Sequence, residues 1–122
     1  MEIRGGRVFC PDGVFRDTDI YIENGRFTES SSDGHIMNAA GYYIIPGLID
    51  IHMHGCVGYD FSSATVQQIR AMGEYLAGFG VTNFCPAVMS LPEEQMAEAF
   101  RNAVEYEAHR GCGAYLRALR ME

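Results

Sequence analysis

Six consecutive residues have the types and spacing of a reaction centre: Asp50-Ile51-His52-Met53-His54-Gly55. Side chains alternate along a strand, so Asp50, His52 and His54 share one face while Ile51 and Met53 share the other. Two imidazoles two residues apart, at the C-terminal end of a parallel strand, are placed to hold one divalent ion. Neutral imidazole suits zinc, iron or nickel. An ion held there lowers the pKa of its water towards ~7 and so supplies a nucleophile for amides or esters. A bare H-x-H is short, and by itself it describes any two polar residues near a strand end. Its setting favours chemistry, because the pair ends an apolar run in which unpartnered imidazoles would be costly to bury. Gly55 follows at once and lets backbone pass close to a ligand. Asp50 has two readings: it orients a histidine through a hydrogen bond, or it is a satisfied carboxylate with no further role. Cys56 lines the following loop more readily than it touches metal, and Cys85 reads as core. His35 in a polar loop and His109 at a helix end have no catalytic role in this reading.

The elements that must carry these residues follow from turns and periodicity. Over residues 1–45 the chain reads as β. Ile20-Tyr21-Ile22 leads into Asn24-Gly25, the preferred two-residue hairpin turn because both positions need φ > 0. Arg7-Val8-Phe9-Cys10 stops at Pro11-Asp12-Gly13. Strands this short form a small sheet that cannot bury both faces by itself. Tyr43 to Ile51 is nearly continuous apolar, as expected of a strand covered on both faces. Ser62-Ser63 is placed to cap a helix from Ala64 to Gly78, with Val66, Ile69, Met72, Tyr75 and Leu76 at helical spacing and Gly80 as its stop. Val81 to Cys85 reads as a second strand ended by Pro86. Ser90-Leu91-Pro92-Glu93 reads as a capping box for a helix to about His109, with Met96, Phe100, Ala103 and Val104 facing inward. Ala114 to Met121 reads as a third strand. Hairpins followed by β-α-β-α-β imply an α/β fold with a parallel sheet and right-handed crossovers.

The composition sets limits. With 122 residues, 48% of them hydrophobic, the chain has the length and apolar content of one ordinary domain. A net charge of −7, with nine arginines and no lysine, argues against nucleic acid or an anionic membrane as partner. The four cysteines are scattered without a C-x-x-C pair, which suits reduced thiols in a cytoplasmic protein. No apolar run approaches the ~20 residues that span a bilayer, and Met1-Glu2-Ile3-Arg4 lacks the layout of a signal peptide.

Pro46-Gly47-Leu48-Ile49-Asp50-Ile51-His52-Met53-His54 resembles the first barrel strand of the amidohydrolase superfamily. Its continuation Gly55-Cys56-Val57-Gly58-Tyr59-Asp60-Phe61 is similar to that of N-acetylglucosamine-6-phosphate deacetylases, as is Gly80-Val81-Thr82-Asn83-Phe84-Cys85-Pro86. The resemblance covers essentially the whole chain. It implies strands of a small β-sandwich over residues 1–45 and the first β/α units of a metal-dependent hydrolase (β/α)8 (TIM) barrel over 46–122. It also implies a divalent metal, zinc or iron, held by His52, His54 and Glu122, the last taking the position of a ligand at the end of the third strand. The implied substrate is a small-molecule amino-sugar phosphate, N-acetylglucosamine 6-phosphate, and the implied assembly is a homo-oligomer.

A (β/α)8 barrel takes ~200 residues or more. The expectation is therefore an N-terminal piece, inactive alone, without the later histidine ligands and the acid–base aspartate that the resemblance implies. Two other readings stay open. One is an amidohydrolase acting on a cyclic amide or another acyl amide; the other is a non-catalytic α/β module that folds by oligomerising.

Overall fold

A computed structural model describes residues 1–122, and it divides into two compact units, Met1–Pro46 and Gly47–Glu122. The first unit holds seven short strands: β1 (Glu2–Arg4), β2 (Arg7–Phe9), β3 (Phe15–Asp17), β4 (Ile20–Glu23), β5 (Arg26–Thr28), β6 (Ile36–Asn38) and β7 (Tyr43–Ile44). They form a four-stranded sheet in the order β5-β4-β1-β6 and a three-stranded sheet in the order β3-β2-β7. The β4–β5 hairpin turns on Asn24 and Gly25 at φ 52° and 72°, with Glu23 opposite Arg26, as the sequence predicts. Beyond hairpins, two parallel pairings appear, β1 with β6 and β2 with β7. Val8, Ile20, Tyr21, Phe27 and Ile44 line an open cleft of about 500 Å³ instead of packing into a core.

The second unit starts with β8 (Leu48–Met53), a small hairpin of β9 (Gly55–Cys56) and β10 (Tyr59–Asp60), and a short 3-10 turn at Phe61–Ser63. Then come helix α1 (Val66–Gly78), β11 (Val81–Val88), helix α2 (Glu93–Ala108), β12 (Tyr115–Leu116) and β13 (Arg120–Met121). β11 is central. It pairs in parallel with β8 on one edge and with β12 and then β13 on the other. The core lies here: Met53, Phe61, Ile69, Met72, Phe84, Val88, Ala103 and Tyr106 are buried together.

Several sequence expectations are corrected. The apolar run from Tyr43 to Ile51 is not one strand, because Pro46-Gly47 breaks it into β7 and β8 in different units. Nor is β8 covered on both faces: Leu48, Ile49 and Ile51 are 51%, 63% and 71% exposed, and only Met53 is buried. Helix α1 is capped by Thr65, not by Ser62-Ser63. The Thr65 hydroxyl accepts from the Gln68 N–H at 3.4 Å, and the Gln68 side chain accepts from the Thr65 N–H at 2.9 Å. This is a reciprocal capping box one turn further on. Ser62 is buried instead and accepts the Met89 N–H at 3.1 Å.

Pro86 does not end its strand. It is fully buried inside β11, at a register shift between Phe84 and Pro86, the irregularity at which a sheet tolerates proline. The third strand is broken accordingly. β12 pairs with Asn83 and Phe84, β13 pairs with Ala87 and Val88, and Pro86, without an N–H to give, stands between the two stretches. The Ser90 capping box does not form, since Pro92 takes the cap position of α2 and no side chain caps it. Acidic Glu93 and Glu94 complement that helix end electrostatically. Val104 is 71% exposed, whereas Tyr106 supplies the buried contact.

Tyr106 packs where two glycines leave room. Its hydroxyl donates to the Ala114 carbonyl at 2.6 Å. A Cβ on Gly73 would lie 2.0 Å from the Tyr106 oxygen, and one on Gly113 would lie 2.6 Å from it. No helix is long and apolar enough to cross a membrane.

Gly73→Ala is therefore expected to destabilise the chain, as overpacking costs typically ~1–3 kcal/mol, against a helix-propensity gain of ~1 kcal/mol. Tyr106→Phe leaves the Ala114 carbonyl unpaired and costs ~1–3 kcal/mol. The double variant should lose less than the sum, because removing the hydroxyl makes room for the methyl; urea titrations of the three variants measure this. The exposed apolar residues of β8 carry a second expectation, concentration-dependent self-association in sedimentation velocity. Replacing Ile49 and Ile51 by Ser should shift the chain towards monomer.

Candidate metal centre

β8 ends at the sheet edge where β11 also ends, and the chain returns past β11 through β13 to Glu122. Parallel strands bring their C-terminal ends to one side, so residues 68 to 70 positions apart in sequence meet. His52 Nε2 lies 3.3 Å from Glu122 Oε1, and His54 Nε2 lies 3.6 Å from Glu122 Oε2. The two rings stand edge to face with centroids 5.1 Å apart. One nitrogen from each ring and one carboxylate oxygen all fall within 4.8 Å of one another. The structure thus brings His52, His54 and Glu122 together.

Backbone contacts fix each donor. The Glu122 N–H donates to the Val88 carbonyl at 3.1 Å, and the Ser90 hydroxyl donates to the Glu122 carbonyl. The Phe61 N–H donates to the His54 carbonyl at 2.7 Å and folds the β9–β10 hairpin back onto the end of β8. Asp50 touches neither ring: its Oδ1 accepts the His52 backbone N–H at 3.0 Å. It acts on the strand end through the backbone. Asp60 similarly accepts the Ser62 N–H at 2.8 Å. Cys56 stays outside the cluster, its sulfur 4.0 Å from the Met72 carbonyl, and burial first and Asp50 second push its thiol pKa up.

The donor set fits a divalent ion. Two imidazole nitrogens and one carboxylate are a known ligand set for catalytic zinc and for ferrous iron, both of which keep positions open. The cluster is also open to solvent, with His52, His54 and Glu122 side chains 40%, 42% and 35% exposed. His54 Nδ1 is buried with no hydrogen-bond partner, so His54 faces the cluster through Nε2 alone. Elsewhere, His109 pairs with Glu105 at 3.0 Å on α2, and His35 lies in the loop before β6.

Sequence reasoning missed Ser90 as the group that holds the Glu122 backbone; its spacing before a proline resembles a helix cap and hides that use. It also passed over Val57, which stands at φ 49°, beside Gly58 at 82°. The glycine signals a turn there, but valine in the first position masks it.

No protein-family model matches the chain. An N-acetylglucosamine-6-phosphate deacetylase of Mus musculus is 32% identical over 97 residues, which cover 77% of this chain and 21% of that protein. A dihydroorotase of Trichlorobacter lovleyi is 41% identical over 93 residues, 70% of this chain and 21% of its own length. The chain thus spans about a fifth of the length of these relatives. A crystal structure of an N-acetylglucosamine-6-phosphate deacetylase from Pasteurella multocida superposes with a TM-score of 0.77 over 93% of this chain and 32% of that one. At 18% identity, that likeness concerns the fold alone.

Zinc or cobalt titration checks the cluster. His52→Ala and His54→Ala should each weaken binding by at least about 10-fold, since even groups that only support a ligand cost about 10–100-fold when lost. Asp50→Asn should change little, because the amide oxygen still accepts the His52 N–H.

Proposed function

From the premise that the chain belongs to the N-acetylglucosamine-6-phosphate deacetylase family of amidohydrolases, we propose that it forms part of a metal-dependent hydrolase that splits N-acetylglucosamine 6-phosphate into glucosamine 6-phosphate and acetate. In this reading residues 46–122 are the first β/α units of a (β/α)8 barrel, and residues 1–45 belong to a small β-sandwich. The observation that carries it is the meeting of His52, His54 and Glu122 within 4.8 Å at the C-terminal side of a parallel sheet, where barrel enzymes keep their sites.

His52, His54 and Glu122 would hold a zinc or ferrous ion. The ion, when bound, polarises the amide carbonyl and activates water. Asp50 keeps the strand end rigid by holding the His52 N–H, and the Phe61 N–H holds the His54 carbonyl, so neither ring swings with its backbone. The nearby carboxylates Asp50 and Asp60 each spend Oδ1 on a backbone amide, and in this reading neither serves the leaving amine. In this reading the acid–base step, worth about 10²–10⁴-fold, belongs to residues outside these 122, and the chain alone is expected to be inactive. The dihydroorotase relative, at 41% identity, supports a second reading in which the amide is cyclic.

An acetate-release assay separates these readings. Purified 122-residue chain and the product of the complete reading frame are incubated with N-acetylglucosamine 6-phosphate and zinc or ferrous iron. The complete product should turn over, His52→Ala should remove most of that activity, and the short chain should be silent. Turnover of dihydroorotate without acetate release would keep the family and replace the substrate. Turnover by the short chain would overturn the division of labour, and silence of every chain on both substrates would favour the non-catalytic module.

A further inference from the structure

The chain builds one turn geometry twice with different residues. The β4–β5 hairpin uses Asn24-Gly25 at φ 52° and 72°; the β9–β10 hairpin uses Val57-Gly58 at φ 49° and 82°. In both, the strand residues flanking the turn pair directly, Glu23 with Arg26 and Cys56 with Tyr59. Asparagine tolerates the left-handed region because its short side chain bonds locally, whereas a β-branched residue crowds its own backbone there. Valine is thus the wrong residue for the second turn on conformational grounds. Burial does not repay the strain, since Val57 is 44% exposed. Strain of this kind persists mainly where function holds it.

The position of the hairpin suggests the function. It begins directly after His54, and the Phe61 N–H just past its return strand bonds back to the His54 carbonyl at 2.7 Å. Its tip, Val57-Gly58, follows His54 by three residues along the chain. The groups of the cluster itself, and the Ser90 hydroxyl that holds the Glu122 backbone, are polar. Of the parts of an N-acyl sugar phosphate, the alkyl end of the acyl group is the one that gains from an apolar side chain; the hydroxyls and the phosphate do not.

We propose that Val57 is a specificity residue that contacts the alkyl end of the acyl group and sets the acyl length the site accepts. This rests on the amide-hydrolase reading given above. Val57→Gly and Val57→Asn, made in the product of the complete reading frame, each relieve the strained turn and should raise the urea midpoint. Asn24→Val, in the matching turn of the other unit, should lower the midpoint and leave the kinetics unchanged.

The kinetic readout is the ratio of kcat/KM for N-propionyl over N-acetyl substrate. A methylene in a fitted pocket is worth about 10–200-fold, so this ratio should rise about 10-fold or more in Val57→Gly. A stabilised Val57→Gly protein with an unchanged ratio overturns the inference, and so does a variant that gains no stability. Failure of the wild-type protein to release acetate or propionate overturns the deacetylase reading itself, which keeps the two failures apart.

Discussion

The hydroxyl of one buried tyrosine governs how the second unit closes. Tyr106 lies on α2, yet its oxygen fills the space left by Gly73 on α1 and by Gly113 in the loop beyond α2. It donates to the Ala114 carbonyl, whose own residue donates its N–H to the Gly73 carbonyl at 2.9 Å. Burial pushes the phenol pKa up to about 12, so the proton it donates stays in place at any physiological pH. One side chain thus fixes the two helices against each other and sets where the chain leaves α2 for β12. From β12 the backbone follows β11 to Glu122. The reach of that carboxylate to the two imidazoles therefore depends on a contact made at the far end of the last two strand segments.

The same organisation explains which features were legible in the sequence. His52 could be read because a strand has a fixed two-residue period and its neighbours are apolar; His54, expected on the same strand, instead follows its end at Met53 and still reaches Glu122. The order of strands and helices in the second unit could be read for a similar reason, since Ile69, Met72 and Leu76 recur at the helical period and are buried as that period requires. What could not be read depends on pairs distant in sequence. Nothing near Tyr106 reveals that two glycines make room for its hydroxyl, so Val104 looked like the inward residue. Pro86 looked like a strand end because the register shift that accommodates it involves β8. The apolar run through Pro46 looked like one strand because local hydrophobicity does not record which unit a residue joins.

Polar side chains around the candidate centre are spent on backbone. Asp50 holds the His52 N–H, Asp60 the Ser62 N–H, Ser62 the Met89 N–H and Ser90 the Glu122 carbonyl. Each satisfies a group at a strand end or loop that would otherwise lack a partner, where an unmade bond costs ~1–3 kcal/mol. The result is a rim in which the backbone is held locally and three side chains, His52, His54 and Glu122, remain directed at a common point. That separation between supporting and directed groups is a physical reason for reading the cluster as a site instead of as three unrelated polar side chains.

The strand arrangement also makes the cluster a gauge of order. His52 lies on β8, His54 directly follows it and Glu122 follows β13, with β11 between them, so the three donors coincide only while both edges of β11 are zipped. An ion that needs all three then binds with an apparent dissociation constant divided by the fraction of molecules in which the sheet is fully formed. By the same linkage, a bound ion adds RT ln(1 + [L]/Kd) to the stability of that zipped form. Ion affinity and sheet integrity are in this way two readings of one equilibrium. Any change that loosens β13, however distant from the imidazoles, registers as a weaker grip on the ion.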